Sequence, residues 1–207
     1  MAETEDFWNR IARKYAADPI KDMEGYNRTI DRTREHLSRD ARVLEVGCGS
    51  GATALLLAPE VGHITASDIS SEMITIGREK AAGTNVANID FVRATPFDDA
   101  FPDAPYDAVL AYNFLHLVPD VPALIDRLAE LMRPGGLLIS KTPNIGGARR
   151  LVLQPLIAAM RLFGKAPPDL SFVSPKQLKA MIAKAGFEIV VFEFHGDSRP
   201  FIVAKKK

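Results

Sequence analysis

Residues 43–51 read Val-Leu-Glu-Val-Gly-Cys-Gly-Ser-Gly, an apolar run that stops in a glycine turn, and this stretch limits the possible folds most tightly. Val43, Leu44 and Val46 have the β-branched and aliphatic character of a strand buried on both faces. Residues 52–58 have the composition of a helix packed on that strand. The unit is strand, glycine turn, helix. Gly47, Gly49 and Gly51 permit positive φ and carry no Cβ, so a ligand can lie against bare backbone near the helix N-terminus.

Two ligand classes use such a turn. A dinucleotide brings a pyrophosphate, which a nearby carboxylate repels, whereas S-adenosylmethionine brings an ammonium group and a sulfonium cation. Glu45, two residues before the first glycine, stands where it can accept hydrogen bonds from a cationic ligand, directly or through water. The glycines recur at every second position, unlike the Gly-x-Gly-x-x-Gly spacing of the dinucleotide fingerprint. The segment Glu-Val-Gly-Cys-Gly-Ser-Gly at 45–51 resembles the first motif of class I S-adenosylmethionine-dependent methyltransferases, and matching segments continue along most of the chain. The resemblance implies that Glu45, Gly47, Cys48, Gly49 and Gly51 bind this cofactor, with S-adenosylhomocysteine as the product.

A chain of 207 residues suits one α/β domain with a sizeable core. Its 26 basic and 26 acidic residues cancel, which disfavours nucleic acid and favours a small-molecule acceptor. Cys48 is the only cysteine, so an intrachain disulfide and a thiolate metal cluster are excluded. It reads as a small residue in the turn whose backbone N–H is the useful group, rather than as a nucleophile. Residues 1–6 are acidic and lack the basic and apolar parts of a signal peptide, so a cytoplasmic protein is expected.

Taken in order, Phe7, Trp8, Ile11, Ala12 and Tyr15 recur at helical spacing. In similar methyltransferases such a helix closes over the cofactor, which makes Tyr15 a candidate for lining the site. Within an N-terminal cap of residues 1–40, a helix is expected over 29–38, with His36 in solvent. Residues 63–67 read as a second strand ending at Asp68, where a carboxylate can accept from both ribose hydroxyls. Ser70 is the better N-cap of the next helix, which frees Asp68. The family pattern adds Ile69 and Met73 as cofactor contacts. After a third strand over 89–93, Thr95, with Pro96 and Phe97, stands where many relatives bind the adenine amino group through an acid. Asp98, Asp99 and Asp103 read as a solvated loop with Phe101, Pro102 and Pro105 rather than as a metal site, and no metal is expected.

A fourth strand over 106–111 leads to Tyr112-Asn113-Phe114-Leu115-His116-Leu117 at its carboxyl end, where open α/β sheets hold ligands. Asn113 and Phe114 are expected on the cofactor. The segment lacks the prolines of nucleic-acid amino methyltransferases. His116 is either a general base for an acceptor proton, with Tyr15 behind it, or a structural histidine of this loop. A helix capped by Asp120 runs to Met132, and a turn over 133–136 leads to a fifth strand over 137–141.

Residues 142–174 interrupt the alternation. Residues 151–163 are almost wholly apolar and too short for a span, which needs about 20 residues. A lid of two short helices bent at Pro155 over an apolar acceptor pocket is favoured, ahead of a dimer contact or a membrane contact through 149–165. Ser174-Pro175 starts a further helix, ended by Gly186, and strands over 187–194 and 201–205 are joined so briefly that they must be antiparallel. His195 and residues 205–207 are expected in solvent. The whole implies one Rossmann-like domain: a seven-stranded, mostly parallel sheet with an antiparallel C-terminal hairpin, helices on both faces and a short helical lid. The expected activity is methyl transfer to a small, hydrophobic acceptor. An NAD(P)-dependent oxidoreductase and a non-catalytic S-adenosylmethionine-binding protein are the alternatives.

Overall fold

A computed structural model describes residues 2–101, 103–196 and 199–207. Met1, Pro102 of the aspartate-rich loop, and Asp197 and Ser198 of the expected hairpin connection lie outside the described residues. The chain runs α1 (Ala2–Ala17), α2 (Met23–Arg34), β1 (Arg42–Val46), α3 (Ala52–Leu57), β2 (His63–Asp68), α4 (Ser71–Ala82), β3 (Ile89–Arg93) and β4 (Tyr106–Tyr112). It continues α5 (Val121–Glu130), β5 (Met132–Lys141), α6 (Arg150–Leu162), α7 (Pro175–Lys184), β6 (Phe187–His195) and β7 (Arg199–Lys206). The seven strands form one sheet in the order β3-β2-β1-β4-β5-β7-β6. β7 pairs antiparallel with both β5 and β6, so it alone runs against the rest.

This Rossmann-like arrangement follows from burial. Val43, Leu44 and Val46 of β1 are fully buried because helices cover both faces of the sheet. On one face Leu124, Ile125, Leu178 and Ile182 of α5 and α7 pack against β1 and β4. On the other, Ile30 of α2, Ala54 and Leu57 of α3 and Ile74 of α4 do the same. Each leucine or isoleucine among them contributes about 1.5–3 kcal/mol by leaving water. From β1 the chain moves outward through β2 and β3, then returns to lay β4 on β1's other side. The connections leaving β1 and β4 therefore run to opposite sides of the sheet, which leaves a crevice outside their carboxyl ends.

Several local expectations are corrected. α2 begins at Met23, not at residue 29, because Asp22 caps it by accepting from the Gly25 N–H at 2.8 Å. His36 is half-buried rather than in solvent. His195 is fully buried: its ring stacks on Phe201 at 4.5 Å, and its Nδ1 lies 3.1 Å from Thr29 Oγ1. The early start of α2 causes this, since it lays Gly25 and Thr29 over the end of β6. Lys141 Nζ donates to the Gly25 carbonyl and to Thr29 Oγ1, both at 2.9 Å, so a polar seam seats α2. At the chain end Lys206 Nζ donates to the carbonyls of Ala129 and Met132 instead of standing free. The run over 151–163 forms one helix, α6, with Pro155 inside it. The bond Pro155 cannot make would go to the carbonyl of exposed Leu151, where water can replace it.

Candidate active site

A cavity of about 360 Å³ opens at the carboxyl ends of β1, β2 and β4. Its floor is the glycine turn. Gly47 has φ +64° and Gly49 φ +53°, a region that penalises side chains. A Cβ on Gly47 would overlap the Phe114 ring, whereas one on Gly49 would meet only Tyr15, at 3.8 Å, so bare backbone faces the cavity there. The turn is fixed by Asp68, whose Oδ2 accepts from the Gly49 N–H at 2.9 Å and whose Oδ1 accepts from the Ser70 N–H at 2.8 Å. Burial pushes the Asp68 carboxyl up, against those backbone bonds and one from Ile69. A carboxylate offers about four acceptor sites, so capacity remains for ligand hydroxyls. Ser70 caps α4 through the Met73 N–H at 3.1 Å, as the sequence suggests.

Tyr15, Gly47, Gly49, Asp68, Ile69, Met73, Thr95, Pro96, Phe97, Asn113 and Phe114 all line this cavity. Thr95 spends its N–H and hydroxyl on Asp98 Oδ2, at 2.7 and 3.0 Å, so toward a ligand its hydroxyl can only accept. Asp99 and Asp103 face Arg127 and Arg42, and among the described residues no three His, Cys, Asp or Glu side chains gather as a metal site. Asn113 holds φ +51° at the end of β4 while its N–H donates to the Lys141 carbonyl at 2.7 Å.

Four expected residues stand outside the lining. Gly51 is a packing glycine: a Cβ would strike the Phe91 ring. The Cys48 N–H is spent on the Ser67 carbonyl at 2.9 Å, so it is not offered to a ligand, and burial pushes its thiol well above the usual range. Glu45 lies buried behind the turn; burial first, then the charge of Asp68, raises its carboxyl to about 8. Its Oε2 has no partner among the described residues. His116 is buried, its carbonyl accepts from the Ser171 N–H at 2.7 Å, and burial with the Arg199 charge lowers its imidazole to about 4. Tyr15 does reach the cavity, but burial and the Asp68 charge raise its phenol, which disfavours phenolate.

The sequence does not single out the remaining lining residues individually, although Trp8, Tyr112 and Leu117 lie in segments expected there: Thr4, Trp8, Ala94, Tyr112, Leu117, Val118, Pro119 and Asp169. Trp8 lies seven residues before Tyr15, two helical turns, and its ring meets Tyr15 edge-on at 6.5 Å. That spacing was readable. Asp169 was not, because only the fold brings the far end of the 142–174 segment to the cavity, where Asp169 Oδ2 accepts from Thr4 Oγ1 at 2.6 Å. No residue of α6 lines the cavity.

A family model described as a methyltransferase domain matches residues 10–191. The chain belongs to that family. A ubiquinone biosynthesis O-methyltransferase of Xylella fastidiosa is 33% identical over 153 residues, 72% of this chain; the match spans 61% of that relative's length. A demethylmenaquinone methyltransferase of Listeria monocytogenes is 27% identical over 191 residues, covering 83% of this chain and 81% of that protein. Among solved structures, a SAM dependent methyltransferase from Aquifex aeolicus superposes with a TM-score of 0.68 at 17% identity, over 86% of this chain and 89% of that one. That likeness establishes the fold, and the family match removes the oxidoreductase alternative.

Proposed function

We propose that this chain transfers a methyl group from S-adenosylmethionine to a hydrophobic acceptor of the quinone class. The observation that carries the cofactor is the cradle of Gly47 and Gly49 beside Asp68, with bare backbone on one side and spare carboxylate acceptors on the other. Its fit to a cationic ligand rests on Glu45, whose orphaned Oε2 and raised pKa mark a buried acid short of positive charge. When bound, the cofactor supplies an already activated methyl group. The chain's own task is then alignment and exclusion of water. Trp8, Phe97, Leu117, Val118 and Pro119 give the cavity apolar walls suited to an aromatic acceptor. The names of the two relatives, both of which concern quinones, favour the same acceptor class.

For a hydroxyl acceptor, Asp169 is the group we assign to take the proton. It lines the cavity, and Thr4 donates to its Oδ2, while Oδ1 has no hydrogen-bond partner among the described residues. His116, buried and outside the lining, is the weaker choice. Calorimetric titration with S-adenosylhomocysteine, with reduced nicotinamide dinucleotide as control, tests the cofactor. Binding of the former alone is expected, and a folded protein that ignores it refutes the proposal. Turnover with soluble catechol and quinol acceptors, read as S-adenosylhomocysteine release, tests the acceptor class. Binding without turnover on any of them would leave the holding-protein alternative in its place.

A further inference from the structure

We propose that α6 and its flanks form a surface that docks on an anionic lipid bilayer. At about 100° per residue, α6 presents three faces. Leu153, Ile157 and Met160 point toward the body and are half-buried. Arg150, Gln154 and Arg161 form a narrow polar strip, with Arg150 Nε donating to Gln154 Oε1 at 2.9 Å. The remaining arc carries Leu151, Val152, Leu156 and Leu162, followed by Phe163, and these face solvent: Leu151 is 80% exposed, Leu162 85% and Phe163 77%. No residue of α6 is fully buried. So large a contiguous apolar surface on one helix marks an interaction site.

Charge selects the occupant. Between Lys141 and Asp169 there is no acidic residue, while Arg149, Arg150, Arg161 and Lys165 border the apolar arc, in a chain of formal net charge zero. A second copy docked through the same face would set these cations against their own equivalents. A bilayer with anionic headgroups offers apolar depth to the leucines and Phe163 and negative charge to the four cations. The helix lies in the interface rather than across it, since no helix among the described residues is long and apolar enough to cross a membrane. Its far end meets the cavity side of the molecule: Arg10 Nη2 donates to the Gly164 carbonyl at 3.0 Å, and the chain reaches Asp169 five residues later. The surface stands independently of the acceptor; if the acceptor is a quinone, it would place the cavity beside the phase that holds such molecules.

Co-sedimentation of the full chain with phosphatidylcholine vesicles, with and without phosphatidylglycerol, tests this. Binding is expected on the anionic vesicles, falling steeply at high salt. Leu162→Asp with Phe163→Asp should abolish it, Arg149→Ala and Lys165→Ala should each weaken it by roughly fivefold at low salt, and Val190→Asp, at an exposed apolar position on β6, should leave it unchanged. Circular dichroism controls for folding; these side chains are exposed. Equal binding to neutral and anionic vesicles, or undiminished binding by the double variant, overturns the proposal. So does a lipid-free dimer abolished by the same double substitution, which would give the face to a second copy. None of these readouts depends on methyl transfer, so failure here and failure of the proposed activity are distinguishable.

Discussion

Replacing Glu45 by Gln should stabilise the free protein at alkaline pH. The wild-type carboxyl is held near 8 against an ordinary value of 4.5, so between those pH values the unfolded chain has released a proton that the folded chain retains. Stability therefore falls as pH rises through this window and levels off above it. At about 1.4 kcal/mol per pH unit the penalty reaches roughly 5 kcal/mol. The amide removes it, yet leaves its own NH2 group buried without a partner, which returns about 1–3 kcal/mol. A net gain of roughly 2–4 kcal/mol at pH 8, vanishing or reversing at pH 5, is expected from urea unfolding at both pH values. Other titrating groups cancel between variant and wild type. Parallel stability curves would refute the reasoning, because they would mean that Glu45 is ionised in the folded protein without cost. The same substitution should abolish any rise in S-adenosylhomocysteine affinity between pH 6 and 8, the signature of a ligand cation drawing the proton off Glu45.

Asp68→Ala should weaken S-adenosylhomocysteine binding by about 1–3 kcal/mol through loss of the turn's anchor and of ligand acceptors; unchanged affinity in calorimetry removes Asp68 from the site. Asp169→Asn should slow single-turnover transfer to a hydroxyl acceptor by roughly 10²- to 10⁴-fold with cofactor affinity unchanged, and equal rates end its assignment as base. The transfer rate should show no inflection near pH 6.5 belonging to His116; one that disappears in His116→Gln would restore it as the base. Because His116 binds its proton only near pH 4 when folded but near 6.5 when unfolded, the wild type should lose up to roughly 3 kcal/mol on acidification across that window. The Gln variant should lose correspondingly less, as read by acid unfolding; identical acid-unfolding curves would mean that burial does not hold the imidazole neutral.

Much of this was legible because local chemistry and fold agree. The glycine turn after β1, the acid after β2 and the antiparallel end of the sheet follow from spacing and residue type. What stayed hidden depends on long-range placement. Asp22 was a readable cap for α2, but that α2 would lie over β6 and bury His195 against Phe201 was not, since a histidine beside a turn also suits solvent. Glu45 has the right neighbours in sequence, yet strand alternation puts it on the Val43 face of β1, buried outside the cavity lining. Cys48 illustrates a subtler miss: a backbone N–H in a ligand-binding turn looks available until β2 claims it through Ser67. The apolar run over 151–163 carries the composition of a covering element, and only three-dimensional placement shows its widest apolar face turned outward.

The attachment of α1 bears on how long a ligand stays. A single side-chain oxygen, Asn9 Oδ1, accepts from Ser70 Oγ at 2.7 Å, Ser71 Oγ at 3.4 Å and the Glu72 N–H at 3.2 Å, with an exposed Arg13–Glu79 pair beside it. Trp8 and Tyr15 ride on the same helix and wall the cavity, so its attachment bears on ligand release. Ala12 also packs on Met73 and Ile76, whereas the exposed Arg13–Glu79 ion pair is weak and sensitive to salt. Loosening of that pair should therefore shorten product residence time as ionic strength rises. Stopped-flow displacement of S-adenosylhomocysteine would show it, and a dissociation rate indifferent to salt would mean that the pair does not hold α1 over the cavity.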